Sequence, residues 1–93
     1  LQRLADAGFA VDTLGVSLPR VEQLARKLPK LRIVIDHMGG VNVRNPSKEW
    51  FDGITLVAKQ ANVFMKVSGL VEGAGAAGAR NAPTDPAVYK PVL

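Results

Sequence analysis

The sequence predicts an α/β fold with parallel strands, and three observations carry that expectation. Short apolar runs at 9–14, 31–37 and 62–68 have the length and composition of strands. Between them lie segments of about ten to fourteen residues whose apolar positions recur at helical spacing. The middle run, LRIVIDHMGG over 31–40, ends abruptly in Asp36, His37 and two glycines, as a strand buried on both faces does when polar groups sit at its carboxyl end. Single helices between strands require right-handed crossovers and a parallel sheet, so a (β/α)8 barrel segment and a doubly wound sheet both satisfy the pattern.

Each element has its own local cause. LQRLADAG reads as the last turns of a helix, stopped at Gly8 because glycine takes positive φ without a Cβ penalty. FAVDTL, 9–14, is the first strand. Ser17 caps the next helix with Pro19 in its first turn, and Leu18, Val21, Leu24, Ala25 and Leu28 form its apolar stripe before Pro29 ends it. Residues 31–37 are the second strand and 38–47 a loop rich in Gly, Asn and Pro. Asn45 or Ser47 caps a third helix in which Trp50, Ile54, Val57, Ala58 and Ala61 share one side, with Trp50 packed on the sheet. NVFMKVS, 62–68, is the third strand. The small-residue stretch that follows reads as a flexible loop over the mouth of the sheet, in the place of a lid, leading to a helix that starts near Asp85 and Pro86. A non-methionine start and helices cut at both ends give the chain, 1–93, the look of an internal fragment forming part of one domain.

Composition narrows the function. Twelve Lys and Arg against eight Asp and Glu give a net charge of +4, but the basic residues are scattered from Arg3 to Lys90 and few aromatics are available for stacking, so no nucleic-acid partner is expected. The absence of cysteine excludes disulfides and thiolate metal sites and fits a reducing compartment. No apolar run is long enough to span a bilayer, so a cytoplasmic protein without a membrane partner is expected. Gly73, Gly75 and Gly78 match G-x-G-x-x-G, yet Pro83 and Pro86 leave no room for the helix that a dinucleotide site needs.

Strand alternation brings the polar residues together. In the third strand, Lys66 cannot be buried unpaired against helices, so Phe64, Lys66 and Ser68 face a barrel interior while Val63, Met65 and Val67 meet the helices. The same logic turns Ala10, Asp12 and Leu14 inward and leaves Phe9, Val11 and Thr13 for the helices. In the second strand Ile33, Ile35 and His37 share a set, and turning it inward places His37 between Asp12 and Lys66. An acid, an imidazole and an ammonium then share one rim. Arg44, on the loop beyond the second strand, is a weaker candidate for holding substrate.

IVIDHMGG, a Trp-containing helix and NVFMKVSGL together resemble the amidohydrolase-related TIM-barrel hydrolases, in their lactonase-like branch. Asp36, His37, Gly39, Trp50, Lys66, Ser68, Gly69 and Leu70 carry the resemblance, which extends over roughly 9–93. It implies three consecutive βα units, the fourth to sixth, of a (β/α)8 barrel whose remaining parts, or a second copy, cover the open sheet. It also implies hydrolysis of a sugar-derived or carboxylated lactone, by attack of water on the carbonyl. His37 is then the catalytic residue, polarising the carbonyl, or a metal ligand where the intact enzyme holds a divalent ion such as zinc; Lys66, Asp12, Ser68 and Arg44 bind substrate. The family's first-strand histidines and its proton-accepting aspartate have no counterpart in the sequence, so this stretch alone is expected to be inactive. A metal-dependent nonoxidative decarboxylase of the same superfamily and a non-catalytic α/β module are the alternative readings.

Overall fold

A computed structural model describes residues 1–75 and 83–93. Strands β1 (Ala10–Thr13), β2 (Arg32–Ile35) and β3 (Val63–Met65) form one sheet in the order β1-β2-β3, with both pairs parallel. Helices α1 (Gln2–Asp6), α2 (Leu18–Lys27) and α3 (Lys48–Val57) alternate with them, and a short α4 (Leu70–Gly73) follows β3. Thr13, Ile35 and Met65 lie abreast at the carboxyl ends of the strands, and this register fixes what can meet beyond them.

One side of the sheet is packed. Val21 and Ala25 from α2, Val57 from α3, and Leu31, Ile33 and Ile35 from in and around β2 form the main core, with Leu31 and Ile33 fully buried. Ser47 caps α3 by accepting a hydrogen bond from the Trp50 amide at 3.1 Å, whereas the Ser17 hydroxyl makes no such bond to α2. Asn62 joins the layers: its Nδ2 donates to the carbonyls of Ala25 (3.1 Å), Leu28 (3.1 Å) and Leu31 (2.8 Å), tying the end of α2 and the entry to β2 to the entry to β3. A second cluster, Met38, Val41, Val43, Ala74 and Val92, lies under the segments that follow β2 and β3, and Trp50 touches both clusters.

The other side of the sheet is open among the described residues. Asp12, Arg32, Phe64 and Lys66 are exposed there and Val34 is half-buried. Several expectations change in the folded chain. Ile33 and Ile35 face the helices, not a barrel interior, because the most apolar pair of the central strand gains most from the packed side. Phe9 and Val67, expected against the helices, are exposed because the strands end before reaching them. The start of the segment read as a loop winds into α4. Asp85 does cap a helical start, accepting from the Ala87 amide at 2.9 Å, but only two 3₁₀ turns form, at Pro86–Val88 and Lys90–Val92; Pro91 has no N–H with which to continue an α-helix. The expected lid and the last part of the glycine motif fall on 76–82, outside the described residues.

Candidate functional site

The register that pairs Thr13 with Ile35 and Met65 brings the next residues, Leu14, Asp36 and Lys66, to one level on the open face. The Lys66 ammonium lies 2.9 Å from Asp12 Oδ2, to which it donates a hydrogen bond, and 2.7 Å from Asp36 Oδ1. The second approach is off the angle of a good hydrogen bond, so the buried Asp36 Oδ1 is held by charge more than by direction. Both carboxylates, Asp36 first and Asp12 second, hold the Lys66 pKa above its ordinary value. Two carboxylates share one ammonium, leaving the cluster net negative. Asp36 was absent from the sequence-derived rim. Strand parity could have found it: once Ile33 and Ile35 take the helix side, Val34 and Asp36 must take the other.

That parity would also aim His37 at the helices, and the backbone prevents it. Directly after Asp36 the chain enters four consecutive left-handed residues, His37 (φ 53°, ψ 40°), Met38 (φ 52°, ψ 32°), Gly39 (φ 72°) and Gly40 (φ 71°). His37 and Met38 are the only non-glycine residues with positive φ among those described. Such a conformation costs an L-residue about 1–2 kcal/mol, so surrounding contacts must impose it. The Met38 amide donates to the Lys66 carbonyl (3.2 Å), the Met38 carbonyl accepts from the Trp50 indole N–H (2.8 Å), and the Gly40 amide donates to the His37 carbonyl (2.9 Å). Met38 is thereby sent into the second cluster, and His37 remains exposed.

The imidazole is held at the end of β3. Its Nδ1 lies 2.9 Å from Ser68 Oγ, and it stacks so closely on Gly69 (φ 68°) that a Cβ there would sit 2.7 Å from His37 Cβ and 3.0 Å from Nδ1. His37 lines a cleft of about 360 Å³ together with Leu14, Gly40, Val41, Gly69, Glu72 and Gly73. Ser68 is thus in contact with His37. The structure brings Asp12 and Lys66 into one ion cluster and His37 and Ser68 into a hydrogen-bonded pair beside it. Arg44 is elsewhere, its Nε donating to the Ala74 carbonyl at 2.8 Å, where it ties the loop after β2 to the end of α4. Glu72, on the cleft wall, had no signal in spacing because the short α4 that carries it was unforeseen.

These residues do not compose a metal site by themselves. No group of three His, Cys, Asp or Glu among the described residues could hold an ion. Both rim carboxylates are engaged by Lys66, and Nδ1 of the one imidazole by Ser68. Catalytic zinc normally takes three protein ligands.

Parallel βα units with polar groups collected at the carboxyl ends of their strands define an α/β protein of the kind that keeps its chemistry at that rim. The chain belongs to the amidohydrolase family, whose model matches residues 1–92. The family is one of hydrolases built on the TIM barrel and usually dependent on metal, and the three units here are a run of that barrel's repeating βα units. No curated protein and no solved structure matched the chain. No helix among the described residues is long and apolar enough to cross a membrane.

Proposed function

We propose that the protein acts on lactones, and that His37 donates a hydrogen bond to the substrate carbonyl as water attacks it. The observation that carries this reading is the Nδ1···Ser68 contact at 2.9 Å, which leaves Nε2 as the nitrogen available to substrate. For Nε2 to bear the proton, Nδ1 must accept from the Ser68 hydroxyl, a role the hydroxyl can fill because it donates as well as accepts, and in this reading that tautomer polarises the carbonyl. A carboxylate takes the proton from water as the new C–O bond forms, and the ring C–O bond then breaks as that proton passes to the leaving ring oxygen, giving the hydroxy acid. In the family's pattern that carboxylate ends the last strand of the barrel, which these three units do not supply.

Between sugar-derived and carboxylated lactones, the charge of the rim favours the former. Lys66 is already matched by Asp12 and Asp36 and has no net positive charge to offer a substrate carboxylate, whereas the half-exposed Asp12 can accept hydrogen bonds from sugar hydroxyls. The open face, with Phe64 and Leu14 exposed, is covered in this reading by further barrel strands or by a second copy. Sizing the 93-residue chain should then show self-association, and a stable monomer at micromolar concentration counts against it. For the chemistry, neutral sugar lactones and dicarboxylated lactones should be compared as substrates of the complete barrel. His37→Ala should lower turnover of the neutral class about 100-fold, the usual cost of losing one polarising donor. A correctly folded His37→Ala protein with unchanged turnover removes His37 from the reaction.

A further inference from the structure

We propose that Trp50 is a positioning residue for His37, acting through the backbone of Met38. The inference deepens the functional reading above and rests on it for its catalytic consequence, but its structural content stands alone. Three observations meet at Met38. Its φ of 52° places it in a region that non-glycine residues avoid, directly after His37 in the same conformation. Its carbonyl accepts the Trp50 indole N–H at 2.8 Å, from a residue twelve positions further along, in the capped first turn of α3, and not from the strand. Its amide donates to Lys66 at 3.2 Å, the residue that also anchors Asp36.

Both polar groups of one strained peptide segment are thus taken by partners on different elements. The indole supports the carbonyl from the helix side, and β3 supports the amide from the sheet side. Trp50 is itself fixed, half-buried between the two apolar clusters, with Phe51 edge-on at 5.1 Å and its own amide bound to the Ser47 cap. A tryptophan suits the position because its ring fills the junction of the clusters while its one N–H reaches a carbonyl. Release of that carbonyl lets residues 37 and 38 relax toward ordinary φ values, which swings the imidazole away from Ser68 and Gly69.

The test uses NMR with ¹⁵N-labelled histidine and tryptophan, with the His37 signals assigned by their loss in His37→Ala. In the unaltered protein one imidazole tautomer, protonated on Nε2, should dominate, and the Trp50 indole N–H should exchange with solvent at least tenfold more slowly than a free indole. Trp50→Phe keeps an aromatic ring and deletes the donor. It should bring the two tautomers toward equal populations, speed exchange of the Gly40 amide at least tenfold, and lower kcat about tenfold in the complete barrel with KM little changed. Ile54→Ala, which thins the main core without touching the turn, should lower stability and leave the tautomer ratio unmoved. An unchanged His37 spectrum in folded Trp50→Phe, or an equal change in Ile54→Ala, overturns the proposal. Should Trp50→Phe fail to fold, the unaltered protein decides: an indole N–H exchanging as fast as free indole overturns it. Loss of tautomer preference without any lactonase activity supports the positioning role and refutes the substrate assignment instead.

Discussion

Alanine and glycine at position 37 should reverse their usual order of stability. At most sites glycine is the poorer choice, because it frees the unfolded chain by about 0.4–1 kcal/mol relative to alanine. Position 37 has φ 53° and ψ 40°, where an L-residue with a Cβ is strained by about 1–2 kcal/mol and glycine is not. The difference leaves His37→Gly more stable than His37→Ala by about 1 kcal/mol. Packing does not disturb the comparison, since His37 is exposed and both variants lose the same imidazole and the same bond to Ser68. Urea unfolding followed by far-ultraviolet circular dichroism can read the gap: with an m-value of about 1 kcal/mol/M for so small a chain, the midpoints should differ by about 1 M. Equal midpoints, or alanine ahead, would show that the left-handed turn is not a strained state of this protein, and the need for clamps around Met38 would vanish with it.

Three further outcomes follow from contacts described above. Gly69→Ala adds a Cβ 2.7 Å from His37 Cβ at a residue with φ 68°, and should destabilise by about 2 kcal/mol or more while displacing the imidazole from Ser68, a change visible in the histidine spectrum. Asn62→Asp keeps the shape of the side chain but turns a donor into an acceptor facing three carbonyls, so chemical denaturation should show it less stable than Asn62→Ala, itself lowered by about 1–3 kcal/mol. Lys66 is held above its ordinary 10.5 by Asp36 and Asp12, so its contribution to stability is complete below pH 10.5 and is lost as pH rises through the elevated folded value. Thermal melts should therefore fall more steeply above pH 10.5 in the unaltered protein than in Lys66→Met, and parallel curves would refute the pairing.

The order of elements was legible because it rests on features that a short window contains: the alternating runs, Ser47 before a helical stripe, and Pro29 after one. Strand ends were not. Residues 36–37 and 66–68 follow β2 and β3 directly with no Gly or Pro to mark a stop, and only the three-dimensional turn shows that pairing ends at Ile35 and Met65. The grouping of Asp12 with Lys66 was read correctly from alternation, since a lysine in a strand needs an anion and the parallel register supplies one. Asp36 was missed because His37 was given its place. Alternation assigns faces only while the chain stays extended, and His-Met-Gly-Gly leaves the extended state one residue too early for that rule to reach the imidazole. The role of Trp50 was out of reach for another reason: an indole N–H bound to a carbonyl twelve residues earlier leaves no periodic trace.

The presence of two separate apolar clusters divides the molecule into a foundation and a superstructure. Helices and strands are held by Val21, Leu31, Ile33, Ile35 and their neighbours, whereas the segments bearing His37 and Glu72 rest on Met38, Val41, Val43, Ala74 and Val92. Sequence drift in the upper set can therefore reshape what the mouth accepts while the lower layers keep their fit. A scaffold so arranged lends itself to new chemistry by exchange of its upper storey.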